Sequence, residues 1–455
     1  MIKFTRLFIT ILLAVSAFGA MAQSAQTMAT TSSPYSQYGL GNIDPALLPQ
    51  NFGMGGIATA INRINGYNNI NPLNPASYAA INFTTIDAGI YSNVSTFSQT
   101  ASTGSNVSAT NTDFRLSHVA FAIPVNRYSA LSFGLLPYSE MGYNNVTTLS
   151  NFGTVQPPKG YPKIDTNAVN YINSGNGTLS KAYLGYGYAV TKHLFIGANL
   201  SYIFGNLQQF SSAEVSNLYG ILNSRIEQNN SVNGLNYDYG IQYSFDFGES
   251  NQKHLVLGYS ASANSKISTT NTYIVSQYTY TSGVENIAVD SLVKQQGAKR
   301  TIQLPQINHF GISYQYDTHF LIGADYTMGH WSSLTIAGTN AGFQDSKTIN
   351  IGGQFTPDIN SLHNYFARMD YRLGIIYDQT YLNVNNVNIN TKAVTFGLGL
   401  PLAPNNTNTA FYKVNFSAEI GQTGTLQNGL VKDNFVSFRL GFTINDKWFQ
   451  KYKFE

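Results

Sequence analysis

Apolar and polar residues alternate with a period of two in many short stretches of the chain. In the stretch 412–420, apolar Tyr412, Val414, Phe416, Ala418 and Ile420 alternate with Lys413, Asn415, Ser417 and Glu419. The stretches 194–204, 369–378 and 436–444 alternate in the same way. Successive side chains of a strand point to opposite faces, so this pattern predicts strands with one apolar and one polar face.

About fourteen such segments occur along the chain, and the links between them alternate in length. They lie at approximately 83–97, 113–124, 127–143, 176–190, 192–206, 234–248, 253–268, 300–316, 318–331, 343–355, 366–379, 387–400, 409–421 and 432–445. The links near 126, 192, 251 and 317 are short, whereas 98–112, 144–175, 207–233, 269–299 and 332–342 are long. Outer-membrane barrels have short periplasmic turns and long outer loops, so we expect both termini in the periplasm.

The composition indicates which environment the strands occupy. Charged residues make up 10% of the chain, against the roughly 25% of ordinary soluble domains. Outside the N-terminus no apolar run reaches the roughly 20 residues of a spanning helix. These features predict an all-β protein, an antiparallel transmembrane β-barrel of about 14 strands. A water-soluble sandwich remains the alternative.

The N-terminal 80 residues divide into two parts. Residues 1–22 combine Lys3, Arg6, a short apolar run and a small-residue end, which predicts a secretory signal peptide. Residues 23–80 precede the first strand and are apolar and rich in proline between 34 and 80. Irregular backbone is tolerated at membrane depth only inside protein or a wet cavity, so we expect an N-terminal plug, or hatch, within a barrel of residues 81–455.

The chain resembles the FadL/TodX family of outer-membrane transporters for hydrophobic compounds. The resemblance rests on "GMGG" and "NPLNPASYAAI" before the first strand, with the family's Asn-Pro-Ala element at Asn74, Pro75 and Ala76. The stretches 131–143 and 181–205 are similar to Bacteroidetes-type members. The resemblance implies a hatch at the N-terminus and a kinked third strand that opens the wall sideways.

Two groups of residues are candidates for a transport route. Pro137 lies inside the third predicted strand and has no N–H for the ladder, so the strand must bulge or open there, and Gly134 is close to it. In the hatch, Asn71, Pro72, Asn74, Pro75 and Ala76 could form a moving gate or a rigid extended turn.

Polar residues within the strands provide a further set of candidates. Arg368, Asp370, Arg372, Glu419 and Arg439 are predicted to face the lumen, as a structural ladder or as a guide for a polar head group. His330 and Ser332 share a predicted strand face and could act as base and nucleophile, although Trp331 is more simply an interfacial anchor. Tyr138, Tyr143 and Tyr377 are predicted girdle residues.

The sequence favours a channel without enzymatic activity in the outer membrane of a Gram-negative cell. The predicted function is passive uptake of small, fatty-acid-like hydrophobic compounds through a hatch and a lateral opening. The alternative is a barrel subunit of an outer-membrane protein secretion or biogenesis complex. Expected partners are outer-membrane lipid, a hydrophobic small molecule and envelope proteins. Neither nucleic acid nor a cofactor is expected, because the chain has no Cys, scattered His and a net charge of only +3.

Overall fold

A computed structural model describes residues 33–447 apart from 65–66, 101–105, 153–166, 216–220, 249–251, 282–283, 286–289 and 404–409. The predicted signal peptide therefore lies outside the described residues. The chain forms one closed antiparallel barrel of 14 strands, in which each strand pairs with its sequence neighbours and the last strand pairs with the first. The predicted fold class and strand number are confirmed.

The barrel strands are numbered here in chain order. They are β1 Thr84–Thr100, β2 Asn106–Asn126, β3 Ser129–Phe152, β4 Asn167–Ala189, β5 Leu194–Glu214, β6 Asn223–Phe247, β7 Lys253–Ser262 with Lys266–Tyr278, β8 Asp290–Gln303 with Ile307–Tyr316, β9 Phe320–Gly329, β10 Ser346–Phe355, β11 Asp370–Val384, β12 Val387–Pro401, β13 Phe411–Gly424 and β14 Lys432–Asp446. β7 and β8 are each interrupted once but occupy one position in the wall.

The alternating residues lie on the two faces that the sequence predicts. Leu373, Ile375 and Leu440 are 56%, 51% and 42% exposed on the outer surface. Their chain neighbours Arg372 and Arg439 are buried on the inner side. An apolar outer face and a polar inner face are what a bilayer requires of a barrel wall.

The strands differ strongly in length around the barrel. β6 has 25 residues, whereas β9 has 10. Much of the predicted outer loops 144–175, 207–233 and 269–299 is strand, so those predictions were wrong over most of their length. Alternation disappears there because both faces of a strand contact water beyond the bilayer. On the side of the barrel where the strands are short, β11 and β12 are joined by Asn385 and Asn386. Both residues have a positive φ, as a two-residue hairpin turn requires.

The residues before β1 contain only short elements. They are the 3-10 turns Pro34–Gln37 and Pro75–Ala80, the two-residue strand Asn42–Ile43, the single helical turn α1 Pro49–Phe52, and a hairpin of Arg63–Ile64 with Tyr67–Asn68. In the described part of the chain, no helix is long and apolar enough to cross a membrane. We call residues 33–81 the N-terminal segment; most of its side chains are buried.

Candidate functional site

The N-terminal segment contacts a belt of glycines on the inner wall. An ideal Cβ on Gly197 would lie 2.3 Å from the Pro75 carbonyl oxygen, and one on Gly258 would lie 2.1 Å from the Thr59 oxygen. The backbone of the segment comes similarly close at Gly187, Gly352, Gly374 and Gly397, on β4, β10, β11 and β12, whereas side chains of the segment approach Gly240, Gly311 and Gly441, on β6, β8 and β14. Only glycine leaves room for backbone against backbone at such distances.

Side chains of the wall bind the same segment through its main chain. Asp325 of β9 accepts hydrogen bonds from the Ala58 and Thr59 N–H groups, both at 2.8 Å. Gln242 of β6 donates to the Thr59 carbonyl at 2.9 Å, and Asn199 of β5 donates to the Pro72 carbonyl at 3.0 Å. These bonds come from β5, β6 and β9, so the segment is fixed to the wall at three strands.

The predicted hatch residues serve as internal braces of the N-terminal segment. The Asn71 amide donates to the Ala58 carbonyl at 2.7 Å, and the Asn74 amide donates to the Thr59 carbonyl at 2.7 Å. The Asn74 side-chain oxygen Oδ1 accepts the Ala76 N–H at 3.1 Å and so caps the turn that Pro75 begins. This arrangement corresponds to the rigid-turn alternative, with Asn71 and Asn74 fixing the chain reversal.

The wall has a seam between β2 and β3. Their pairing runs from Asn126↔Ser129 to Val119↔Leu135, and no further rung joins the described residues of the two strands. Pro137 follows directly and faces a register shift in the pairing of β3 with β4. The predicted break at Pro137 is therefore present on both sides of β3. We call the unpaired boundary between β2 and β3, which begins after Leu135 and runs toward the outer end of β3, the seam.

The N-terminal segment lies along the β3 side of this seam. Asn42 and Ile43 pair with Glu140 and Ser139 as a short antiparallel strand. The next residue, Asp44, forms an ion pair of 2.9 Å with Arg115 of β2. Arg115 also pairs with Glu140 at 2.8 Å, so one guanidinium connects both strands and the segment.

A cavity of about 470 Å³ opens beside the seam within the lumen. Its lining includes eight carboxylates, from Asp44, Asp113, Glu140, Asp238, Asp325, Asp378, Glu419 and Asp433, and three cations, from Arg115, Lys181 and Arg439. The Lys181 ammonium binds Asp238 at 2.7 Å, and Arg439 binds Glu419 at 3.0 Å while packing over the Phe52 ring. The cavity therefore carries an excess of acidic groups, set among apolar side chains such as Phe52, Leu73 and Trp331.

The other predicted lumen charges form a separate network nearer the start of β11. Asp370 pairs with Arg372 at 2.8 Å and with Lys413 at 2.5 Å, all of them buried. Arg368 departs from this row, because it lies in the 3-10 turn Phe366–Arg368 before the strand, with its guanidinium over the Tyr365 ring. The ladder begins at Asp370, two residues later than the alternation suggested.

The structure brings only some of the residues predicted for the lateral route together. Pro137 and Pro72 line the cavity, whereas Gly134, Asn74, Pro75 and Ala76 lie outside its lining. Gly134 is paired with Ala120 below the seam. Asn74–Ala76 instead rests against Gly197 and Gly240 on another part of the wall.

The structure corrects several aromatic and polar positions in the outer links. Trp331 is no interfacial anchor: it is 4% exposed and stacks on Tyr381 at 4.2 Å. Tyr143 likewise belongs to the apolar cluster at the outer end of the lumen, together with Tyr35 and Leu40 of the N-terminal segment, and Tyr138 packs against this cluster. The side chains turn inward here because the N-terminal segment offers them an apolar surface. Tyr377 stays on the outer surface.

His330 and Ser332 lie on a 3-10 turn, not on a strand face as predicted. Both side chains bind Asp345, His330 at 3.2 Å and Ser332 at 2.6 Å. The Ser332 hydroxyl is the main reason that the pKa of Asp345 is below its usual value. A base that bonds to the acid and not to the serine does not activate a nucleophile, so this trio stabilises the turn.

Sequence reasoning missed the acidic residues around Arg115 and a buried pair at the base of the seam. His118 of β2 contacts Asp87 of β1 at 2.7 Å, and Thr443 of β14 donates to the same carboxylate at 2.7 Å. The sequence does show that these charged residues occupy inward-facing strand positions. It does not show which residues they pair with, because the partners come from distant segments of the chain.

The described residues contain no group of three or more His, Cys, Asp or Glu side chains placed to hold a metal ion.

The fold is similar to that of solved channels for hydrophobic compounds. A Pseudomonas aeruginosa FadL homologue matches with a TM-score of 0.55 and 12% identity, over 90% of this chain and 100% of that chain. The Pseudomonas putida toluene transporter TodX matches with a TM-score of 0.54 and 12% identity, over 90% and 100%. A TodX mutant described as a monoaromatic hydrocarbon channel gives 0.56 and 13%, over 89% and 99%. Identities this low show the fold alone.

The sequence itself matches a different family. A family model described as BamG matches residues 1–455. The comparison with curated proteins found no match. The resemblance to FadL/TodX is therefore confirmed for the fold and not for the family. A closed barrel with an apolar outer surface and these structural neighbours confirms the predicted location in the outer membrane.

Proposed function

This chain belongs to the BamG family, and from that premise we propose that it acts as a barrel subunit of an outer-membrane protein biogenesis or secretion complex. The family match over the whole sequence supports this function. In this proposal the transporter fold is a scaffold, and contacts with envelope proteins replace the transport of a ligand.

The observation that carries the proposal is an interior that is occupied by the fixed N-terminal segment and carries an excess of acidic groups. Sites for small hydrophobic ligands are lined mainly by apolar and aromatic side chains. The cavity in this barrel has apolar side chains too, but eight carboxylates, including those of Asp44, Glu140 and Asp433, stand among them. Between the cavity and the periplasmic end, the N-terminal segment is fixed to the wall by Asp325, Gln242 and the glycine belt. Such an interior suits a rigid scaffold better than a hydrophobic conduit.

Purification of the native protein tests this function directly. The chain is tagged in the turn at Asn385–Asn386, expressed at its natural level and isolated from membranes in mild detergent. We expect envelope proteins in fixed proportion to the barrel, and depletion of the chain should lower the amounts of other barrels in the outer membrane. An isolated barrel carrying only a lipid-like molecule, with unchanged levels of other barrels, would contradict the proposal.

A second function, passive uptake of small hydrophobic compounds, is favoured by the seam. An unpaired boundary destabilises a closed barrel, because it leaves main-chain groups without strand partners. Its presence therefore favours a function for this part of the wall. Leu136, Pro137 and Ser117 line a small pocket between the cavity and this boundary, so a lateral exit there has a defined position. The FadL/TodX neighbours support the same route at the level of fold.

A disulfide across the seam distinguishes the two functions. The chain has no native cysteine, so the pair Ser117→Cys and Leu136→Cys reports on this site alone. If the seam is an exit, the oxidised variant loses uptake of a long-chain fatty acid or toluene and regains it on reduction. Each single cysteine variant is the control. Equal uptake in the oxidised and reduced states removes the lateral route.

A further inference from the structure

The outer part of β3 has one free edge. Above Leu135 no rung joins it to β2 within the described residues, whereas its other edge pairs with β4 as far as Phe152↔Asn167. The N-terminal segment covers this edge as far as Gly142, through Asn42↔Glu140, Ile43↔Ser139 and the bonds of Ser33 and Ser36 to Gly142. Residues 144–148 follow directly above it.

The main-chain groups that point to this free edge can be identified from neighbouring bonds. The Gly142 N–H donates to the Ser36 hydroxyl, and its carbonyl accepts from the Ser33 N–H. The carbonyl of Tyr138, on the same side, accepts from Asp44. Main-chain groups of alternate residues in a strand point the same way. Those of Asn144, Val146 and Thr148 therefore face the free edge, and those of Asn145 and Thr147 face β4.

This stretch lies outside the bilayer on the outer side of the barrel. A tilted strand crosses the apolar band in about ten residues. β3 enters at Ser129 and presents Leu131, Phe133 and Leu135 to lipid, so it leaves the band near Ser139. Val146, which is 55% exposed, is several residues beyond. The free edge is thus accessible from the cell surface.

Two other edges of the extended wall have no partner strand among the described residues: Asn106–His118 of β2, which lies across the seam, and the outer half of β8, which is protected. The outer half of β8, residues 290–300, pairs only with β7 and carries Lys294, Lys299, Arg300 and a bulge at Gly297, which has a φ of +77°. Lysines and bulges are the usual means of preventing strands from adding to an edge. Residues 142–149, GYNNVTTL, contain no charge and no proline.

We propose that this edge, Asn144–Thr148, is the docking site for an extended strand of a partner protein at the cell surface. The proposal rests on the barrel-subunit function and names the kind of partner. A line of free N–H and C=O groups is complementary to another main chain, and strand addition is an established mode of recognition. The pairing of Asn42–Ile43 shows that the edge accepts a strand, and the docked strand lies beyond Gly142, where Ser33 and Ser36 cover the edge.

Proline substitutions test the edge without disturbing its pairing with β4. Val146→Pro and Thr148→Pro each remove an N–H that faces the seam, and proline is tolerated at such edge positions. Val146→Thr keeps the N–H and is the matched control. We expect each proline variant to fold, judged by heat-modifiable migration on gels, and to retain about tenfold less partner in the purified complex. Val146→Thr should retain the wild-type amount.

Amide exchange and crosslinking identify what occupies the edge. In the complex, the amides of Asn144, Val146 and Thr148 should exchange slowly, and they should become fast once the barrel is isolated. The amides of Asn145 and Thr147 should stay slow in both states. A photocrosslinking residue at Asn144 should attach to an extended segment of another protein.

Each other outcome overturns the inference in a recognisable way. Full partner retention by both proline variants, with unchanged exchange, rejects the edge but leaves the barrel-subunit function intact. A wild-type barrel that isolates without any protein partner rejects both. Crosslinks to residues 23–32 of this chain, to a second copy of it, or to lipopolysaccharide assign the edge to a different occupant and reject the partner strand.

Discussion

At the scale of single residues, close approach explains much of the glycine content. The chain has 40 glycines, and several of those on the wall face inward where the N-terminal segment passes. Gly187 pairs with Gly197, and Gly197 pairs with Gly240, so a smooth strip crosses three strands. Sequence alone does not reveal this strip, because a glycine inside a strand looks the same whether it faces lipid, water or another backbone.

A side chain in this strip should separate the N-terminal segment from the wall. In Gly197→Ala the new Cβ would lie 2.3 Å from the Pro75 carbonyl oxygen, so backbone must move. We expect a loss on the order of 1–3 kcal/mol in the free energy of unfolding, the usual cost of overpacking. Urea unfolding followed by gel migration measures it. Ala198→Val, on the exposed face of the next residue, should stay close to wild type, and an equal loss in both variants would contradict the close-packing explanation.

At the scale of elements, the alternation of the sequence predicts where strands cross the membrane but not how far they continue. Each of the fourteen predicted segments overlaps a barrel strand. The outer halves of β4, β5 and β6 are absent from the prediction because both of their faces are polar. Likewise, prolines and buried asparagines indicate a rigid N-terminal segment, but only the structure shows that Asn71 and Asn74 brace it from within.

Removal of the N-terminal segment should open the barrel. Deletion of residues 34–80 removes the backbone that fills the glycine belt and also Tyr35 and Leu40, which belong to the apolar cluster at the outer end. We expect the deleted barrel to assemble and to admit polar antibiotics that the intact protein excludes. Zones of growth inhibition in cells lacking other large porins measure this effect. Assembly with unchanged permeability would show that the segment does not block the lumen.

At the scale of the whole molecule, the barrel is asymmetric and its polar centre is assembled from distant parts of the chain. Arg115 of β2, Asp44 of the N-terminal segment and Glu140 of β3 meet only because the barrel closes around the segment. Individual inward charges such as Arg439 can be predicted from period-two alternation. Their partners cannot, since pairing depends on strand register and on the path of the N-terminal segment.

The barrel also allows a prediction about its orientation. The long outer parts of the strands and the turn at Asn385–Asn386 lie at one end of the barrel, and the short turns lie at the other end. The absence of native cysteine makes single-cysteine variants informative. Asn385→Cys should react with an impermeant maleimide on intact cells, since outer turns face the medium. Asp317→Cys, in the turn between β8 and β9, should react only after the outer membrane is permeabilised. The reverse labelling pattern would show that the barrel has the opposite orientation in the membrane. The free edge of β3 would then lie in the periplasm, and a partner strand would have to come from a periplasmic protein.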